Sequence, residues 1–203
     1  MQTRRGLLKK TLGGAVLLAA AGAVPLALRK TKLCQAPHAL QFFTAAEYSI
    51  WAAVAERVLA QQATAATREP GGESAEALLQ AEHRPPAPSP AQVDVAGKAD
   101  AFLAPLPEKD AKDLKQLLAL FDNALFSFVT GGPARPFTEM NADEQDAHLK
   151  AWQTSRLAIR RTGFQAMKRL CCAIYFAAPE TFAAMGYPGP PWELIKSVLE
   201  ARK

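Results

Sequence analysis

The residue types that most often carry enzyme chemistry are scattered along this chain. Its histidines, His38, His83 and His148, stand far apart, and none has a cysteine or carboxylate at the spacing of a metal site. We therefore expect each of them to be solvated. The sequence has no glycine-rich dinucleotide or phosphate loop, no Gly-x-Ser-x-Gly nucleophile motif and no Cys-x-x-Cys-His haem motif. The sequence thus predicts no catalytic, cofactor-binding or metal-binding residues in this chain, which argues against an enzyme in its own right.

Three cysteines remain as candidates for cross-linking or redox chemistry. Cys171 and Cys172 are adjacent on a predicted helix, where successive side chains point about 100° apart, so a bond between them requires a distorted backbone. In an oxidising compartment one of them could pair with Cys34, which would leave an odd thiol. Buried structural thiols are the other interpretation, and the sequence leaves both open.

Two arginines in the last third of the chain fall on an apolar helix face. At about 100° per residue, Arg156 and Arg160 share one arc of a predicted long helix with Trp152. Arginine is seldom buried without a partner. Three explanations are open: the arginines extend to the edge of the face, they pair with carboxylates inside the domain, or the face docks another protein through bidentate contacts.

The N-terminal segment has the layout of a bacterial export signal, with a basic start, an apolar run over residues 12–28 and a basic close. The start, TRRGLLK at residues 3–9, matches the twin-arginine pattern, which directs export of proteins that are already folded. Its signal residues are Arg4, Arg5, Leu7, Leu8 and Lys9. We predict that residues 1–32 are this signal region, with cleavage after Ala23. A retained transmembrane anchor is the alternative, although the run of 17 residues is shorter than the about 20 of a spanning helix.

Charge is distributed unevenly between this segment and the rest of the chain. The 203 residues carry a formal charge of +5, yet seven basic residues and no acidic residue lie within the first 32 positions. Positions 33–203 hold 17 basic and 19 acidic residues. A nucleic-acid-binding domain needs a basic field on its folded surface, so the near-neutral body argues against a nucleic-acid partner. The length of this body suits one globular domain.

The elements that must position these residues are helices. No segment of the body alternates apolar and polar residues as a half-buried strand does, and apolar residues recur at intervals of three and four. Helix-capping patterns begin at Thr44 and at Asn141, and the helix opened at Asn141 is expected to run to about Ala178 with a break near Gly163. We predict an all-α fold, a single domain of about five to six helices over residues 33–203.

Helical periodicity also predicts the core. A further helix is expected to begin after Pro107 and to stop at Gly131-Gly132-Pro133, and short helices are expected at 74–82 and after Trp192. The positions expected to be buried are Ile50, Trp51, Val54, Val58, Leu59, Val95, Ala99, Phe102, Leu103, Leu114, Leu117, Leu118, Phe121 and Leu125.

Residues from both ends of the chain resemble the gluconate 2-dehydrogenase subunit 3 family, which includes the small subunits of bacterial flavin-dependent sugar dehydrogenases. The matching features are the twin-arginine start, the Phe-Phe-Thr-x-x-Glu opening of the first helix at residues 42–47, and a block over residues 137–190. The block contains Phe137, Trp152, Ser155, Arg156, Arg160, Tyr175 and the Gly-Tyr-Pro-Gly-Pro segment at 186–190.

The resemblance implies a helical, non-catalytic accessory subunit that holds no cofactor of its own. Subunits of this family escort a larger flavoprotein of the GMC oxidoreductase type, which lacks a signal, through the twin-arginine translocase. The resemblance therefore implies a periplasmic location, FAD in the partner, and a multihaem cytochrome c as a further subunit that associates the complex with the membrane. The partner would oxidise a sugar or a sugar acid.

The last third of the chain is where we expect the flavoprotein to dock. The candidate contacts are Trp152, Arg156, Arg160, Tyr187, Pro188, Gly189, Pro190 and Trp192. A proline-fixed segment that displays two aromatic side chains loses little entropy on binding, although the same segment would also serve to close the domain's own core. The alternative function is a free-standing exported scaffold or binding protein that uses the same helical groove for a ligand.

Overall fold

The computed structural model describes residues 30–68, 85–191 and 200, and this part of the chain contains helices and no strand. A short 3₁₀ helix, Phe137–Glu139, lies between the fourth and fifth of its seven α-helices. The helices are α1 Ala45–Arg68, α2 Val95–Leu103, α3 Glu108–Phe121, α4 Ala124–Val129, α5 Ala142–Gln153, α6 Ala158–Ala177 and α7 Pro179–Met185. The predicted all-α fold is confirmed. The helices outnumber the five or six expected because two stretches predicted to be continuous are interrupted and because α7 was not predicted.

Several predictions from sequence concern residues outside the described ranges. They are the export signal up to residue 29, the helix expected at 74–82, and the C-terminal helix together with Trp192. Within the described ranges, no helix combines the length and hydropathy that crossing a membrane requires.

Two helices begin as the sequence predicts, at reciprocal capping boxes. The Thr44 amide donates to Glu47 Oε2 at 2.7 Å, and the Glu47 amide donates to Thr44 Oγ1 at 3.3 Å. The same exchange opens α5, where Asn141 and Glu144 are joined by two bonds of 3.0 Å. Each box pairs amides that a helix leaves without an internal partner, so these starts depend on residues only three positions apart.

The α5 box gives a stability prediction of ordinary size. Replacing Asn141 with alanine is expected to lower the free energy of unfolding by about 1 kcal/mol, because the Glu144 amide loses its acceptor. Chemical denaturation of the two proteins measures the difference. Gln153→Ala, at the exposed far end of the same helix, is the control and should change stability by less than about 0.5 kcal/mol.

The first interruption separates α3 from α4 at Asp122 and Asn123. The Asn123 side chain accepts the Phe126 amide at 2.8 Å and so starts a new helix. The buried Asp122 carboxylate accepts the Thr138 amide at 2.9 Å and the Thr31 hydroxyl at 2.7 Å, bonds that hold the chain in its bend. The predicted stop at the glycine pair is confirmed one helix later, at the end of α4.

The second interruption lies at residues 154–157, whereas the sequence analysis placed it near Gly163. Thr154 donates its hydroxyl to the carbonyl of Lys150 at 2.9 Å, and Arg161 donates to the carbonyl of Ser155 at 2.6 Å. Gly163 is buried inside α6. A Cβ at that position would lie 2.5 Å from Leu117 Cδ1, so a larger residue does not fit there. The glycine therefore makes room for the Leu117 side chain of α3 and does not break the helix.

The core forms around α1, which packs against α2, α3, α5 and α6. All five residues predicted to form its buried stripe are buried. Phe102 on α2 is the one predicted core position that is exposed, at 65%, whereas Leu114, Leu117 and Leu125 are half-buried. The buried face of α2 includes Ala96 and Asp100, and Phe102 lies outside this face.

A buried carboxylate fixes the segment that leads into α1. Asp100 accepts the backbone amides of Gln41 at 2.7 Å, Phe42 at 3.0 Å and Phe43 at 2.6 Å. Burial opposes ionisation of this carboxyl, but the three amides outweigh burial and hold its pKa below the ordinary value. Asp100 therefore joins α2 to the start of the domain through charge-assisted hydrogen bonds.

Candidate functional site

Trp152, one of the residues expected to contact a partner, lies in the core. Its side chain has no exposed surface. Its ring centroid lies 4.8 Å from that of Phe121, 6.1 Å from that of Phe126 and 6.0 Å from that of His148. Because α5 ends one residue later, Trp152 stands on a different helix from Arg160, with which the sequence analysis grouped it. The structure thus corrects its assignment from docking surface to core.

Arg160 is also buried, with 6% of it exposed. Its guanidinium carbon lies 5.3 Å from the Trp152 ring centroid and 5.7 Å from the Phe126 ring centroid, and Nε has no hydrogen-bond partner. None of the ion pairs among the described residues includes Arg160. Burial lowers its pKa. Arg160 neither extends to the surface nor pairs with a carboxylate there. Its charge is stabilised by aromatic faces, an explanation that the sequence analysis did not consider.

Arg156, in contrast, is exposed, as expected of a docking residue. It precedes α6, whose first turn contains no acidic residue and whose N-cap, Leu157, provides no side-chain cap. The exposed Arg161 lies in that turn and donates to the backbone carbonyls of Ser155 and Arg156 at 2.6 and 2.9 Å. Arginine charges therefore add to the positive end of the helix dipole, which makes this end of α6 strongly cationic.

An apolar groove of about 820 Å³ runs beside the cationic end of α6, between α3 and α6. Gly163 makes room for the Leu117 side chain at its floor. Ile159 lines the groove and is 58% exposed, and the adjacent Leu157 is 49% exposed. The groove is lined by Asp113, Leu114, Gln116, Leu117, Leu120, Ala158, Ile159, Thr162, Gly163 and Ala166. We call this the α3–α6 groove. Helical spacing marked the apolar positions but could not distinguish this surface from a core face.

The segment at 186–190 mainly closes its own helix. Gly186 adopts a left-handed conformation with φ 67°, its amide donates to Ala183, and the Tyr187 amide donates to Phe182 at 2.9 Å. These two bonds form a Schellman motif, and the Tyr187 ring packs on that of Phe182 at 5.0 Å, the apolar contact typical of the motif. Among the described residues, these contacts join the segment to α7 and not to Arg156 or Arg160.

The prolines and glycine of this segment lie at the surface to different degrees. Tyr187 and Pro188 are exposed, whereas Gly189 and Pro190 are half-buried. A Cβ on Gly189, whose φ is 94°, would lie 3.6 Å from the Phe182 ring. The segment therefore leaves Tyr187 and Pro188 at the surface and packs Gly189 beside Phe182. Trp192 lies outside the described residues.

The structure places the histidines and cysteines in separate environments. His148 is buried, and burial together with the charge of Arg160 lowers its pKa to about 4, so the prediction that it is solvated is wrong. His38 is exposed, 3.5 Å from Asp94, and His83 lies outside the described residues. Cys171 is buried, Cys172 is half-buried and Cys34 is exposed, and all three are free thiols. Burial raises the pKa of Cys171, so this thiol stays protonated at neutral pH.

A second surface cavity, of about 550 Å³, lies where the N-terminal segment crosses α1 and α2. Asp94 adopts a left-handed conformation there, with φ 55°, and accepts the Gly97 amide at 3.1 Å as the N-cap of α2. Burial and the nearby Asp94 raise the pKa of Tyr48 to about 12. Asp94 and Tyr48 therefore have structural roles here, since Asp94 caps α2 and Tyr48 lies beside it on α1.

Within the described ranges, no three His, Cys, Asp or Glu side chains cluster in a way that could hold a metal ion. The two distinctive features of this part of the chain are the α3–α6 groove with its cationic end and the buried Arg160 beside His148. No family model, no curated protein and no solved structure matches this chain.

Proposed function

We propose that this protein is a non-catalytic small subunit of a periplasmic complex, in which it docks a GMC-type flavoprotein that oxidises a sugar or sugar acid. The twin-arginine signal of this chain serves the export of both proteins, and FAD belongs to the partner. The resemblance of the signal, of residues 42–47 and of residues 137–190 to the small-subunit family supports this proposal.

The observation that carries the proposal is the α3–α6 groove. Exposed, contiguous apolar surface marks an interaction site in a protein of this size. Ile159 lines the groove and Leu157 precedes α6, and both are exposed, so burial against a partner would remove two large apolar side chains from water. A groove between two helices accepts an apolar helix or loop of another protein, the geometry of helix-in-groove recognition.

Charge indicates what the partner surface is like. Arg156 and Arg161 are exposed at the end of α6, and no acidic residue in its first turn offsets them. A complementary partner segment therefore has apolar side chains flanked by carboxylates. Charges at the rim of an interface speed association and set orientation, whereas the apolar centre supplies most of the affinity.

The proposal is tested by capturing the tagged chain from periplasm and measuring flavin absorbance in the eluate. We expect the wild-type chain to retain a flavoprotein and Ile159→Asp to retain at least about tenfold less, because a carboxylate then enters the apolar groove. Phe102→Asp is the matched control, since Phe102 is equally exposed but lies on α2 outside the groove. Circular dichroism checks that both variants fold.

Two results would contradict the proposal. Capture of the wild-type chain without flavin favours the free-standing binding or scaffold protein. Equal flavin recovery by Ile159→Asp and the wild-type chain excludes the groove as the docking surface. Haem absorbance in the same eluate tests whether a cytochrome c subunit joins the complex.

A further inference from the structure

A small pocket lies behind the loop that follows α4, away from the groove. Its volume is about 150 Å³, and its walls come from that loop, α5 and the start of α6. Gly131, Gly132, His148 and Arg160 are among the residues that line it, and none of its lining residues also lines the α3–α6 groove. The pocket is therefore distinct from the docking surface proposed above.

The loop that forms one wall is rigidly held. The Gly132 amide donates to the Ser127 carbonyl at 2.8 Å, and the Gly131 amide donates to the Phe128 carbonyl at 3.0 Å. These bonds make a Schellman motif, in which Gly131 takes the left-handed conformation with φ 86°. Since both glycine amides are already paired, any ligand in the pocket must be held by side chains.

Two side chains that line the pocket are more than nine-tenths buried and have unpaired polar atoms. These atoms are Arg160 Nε and His148 Nε2. Buried polar groups are nearly always hydrogen-bonded, so the unpaired Arg160 that lines this pocket points to a polar ligand.

The charge in the pocket determines the class of that ligand. Arg160 is cationic, and no ion pair among the described residues includes it. His148 contributes no second charge at neutral pH, since burial and Arg160 lower its pKa to about 4. One unbalanced positive charge favours a monoanion over a dianion such as sulfate. The rings of Trp152 and Phe126 pack against the guanidinium.

The shape of the guanidinium and the volume of the pocket narrow the class of ligand further. The edge of a guanidinium presents parallel N–H groups that match the two oxygens of a carboxylate. A volume of about 150 Å³ equals the space of roughly five water molecules, enough for an acetate-sized anion. We propose that this pocket is a binding site for a small monocarboxylate, held by Arg160 between α5, α6 and the α4 loop.

Acetate is the probe for the test, and the indole N–H groups are the reporters. In ¹H–¹⁵N NMR spectra of the chain purified from periplasm, acetate should shift the signals of Trp152 and of the Gly131 and Gly132 amides, with saturation and a Kd of about 10 mM or tighter. Trp51, which is also buried with an unpaired Nε1, is the internal control and should not move. Sodium chloride at equal ionic strength should produce no saturable shift.

Variants locate the contact. Arg160→Met should abolish the saturable shift, and Arg160→Lys, which keeps the charge but loses the planar fork, should weaken binding at least about tenfold. Arg169→Gln removes an exposed charge from the same helix and should bind as the wild type does. Absence of saturation in the wild-type chain up to about 100 mM acetate, equal shifts of Trp51 and Trp152, or full binding by Arg160→Met would each overturn the proposal.

The carboxylate could come from a free ligand or from an aspartate or glutamate of a docked protein. Washing the captured complex with saturating acetate separates these sources. Retention of the flavoprotein assigns the pocket to a free carboxylate, whereas its elution assigns the pocket to a side chain of the partner. Because the NMR titration uses the chain without its partner, failure of the docking proposal leaves this test intact.

Discussion

Replacing Asp100 with alanine is expected to lower the free energy of unfolding by about 3 kcal/mol or more. The carboxylate is buried and accepts three backbone amides, from Gln41, Phe42 and Phe43, at 2.6–3.0 Å. Hydrogen bonds to a charged group contribute about 1.5–3 kcal/mol each, and loss of this acceptor leaves three amides unpaired at once. No other side chain in the described ranges accepts so many backbone amides.

Urea denaturation monitored by circular dichroism measures this loss. Asp113→Ala, at an exposed position of α3, is the matched control and should change the free energy of unfolding by less than about 0.5 kcal/mol. Asp100→Asn should lie between the two, because an amide keeps one acceptor oxygen without the charge. A loss below about 1 kcal/mol in Asp100→Ala would show that water replaces the carboxylate at these amides.

The same carboxylate gives stability a defined dependence on pH. The pKa of Asp100 is lowered in the folded state by its amide partners, against the opposing effect of burial. Its contribution is therefore complete above the unfolded value of about 3.9 and is lost as pH falls through the folded pKa. Burial raises the pKa of Asp122, so its linkage has the opposite sign. The difference between the wild type and Asp100→Asn isolates the Asp100 contribution, which should shrink below about pH 4.

Trp152→Ala is expected to lower the free energy of unfolding by about 3–5 kcal/mol, the range for truncating a large buried aromatic residue. The indole contacts Phe121, Phe126 and His148, and the Arg160 guanidinium lies over it. Its removal creates a cavity. It also takes away one of the aromatic rings that stabilise the buried charge of Arg160. The effect on partner binding should follow from unfolding and not from a lost surface contact.

Arg156→Glu tests a surface residue close in sequence to the buried Trp152. Arg156 is exposed, so the reversal should change the free energy of unfolding by less than about 0.5 kcal/mol. It should nevertheless slow capture of the flavoprotein, most strongly at low salt. Thermal denaturation of both variants, with capture rates at two salt concentrations, gives the comparison. A Trp152→Ala protein as stable as the wild type would contradict the core assignment.

Local features of the fold could be predicted because their causes lie within a few residues. Thr44 and Asn141 begin helices through partners three positions away. The Gly131-Gly132 pair ends α4 because only glycine readily takes the left-handed conformation that the Schellman motif requires. The buried stripe of α1 follows from helical spacing alone.

Features that depend on distant residues could not be predicted in the same way. Helical spacing placed Arg160 on an apolar arc, but its environment depends on Phe126 and Trp152 of two other helices. The break before α6 depends on hydrogen bonds from the Thr154 and Arg161 side chains to backbone carbonyls. A one-dimensional pattern states which residues share a face, not what covers that face.

The sequence by itself determined the all-α class, the starts of α1, α3 and α5 and the concentration of basic charge at the N-terminus, since each follows from composition or from neighbours along the chain. The tertiary structure alone decided that Trp152 and Arg160 belong to the core while Ile159 and Arg156 lie at the surface. The physical reason is that burial is a property of two packed surfaces, and the second surface lies far away in sequence.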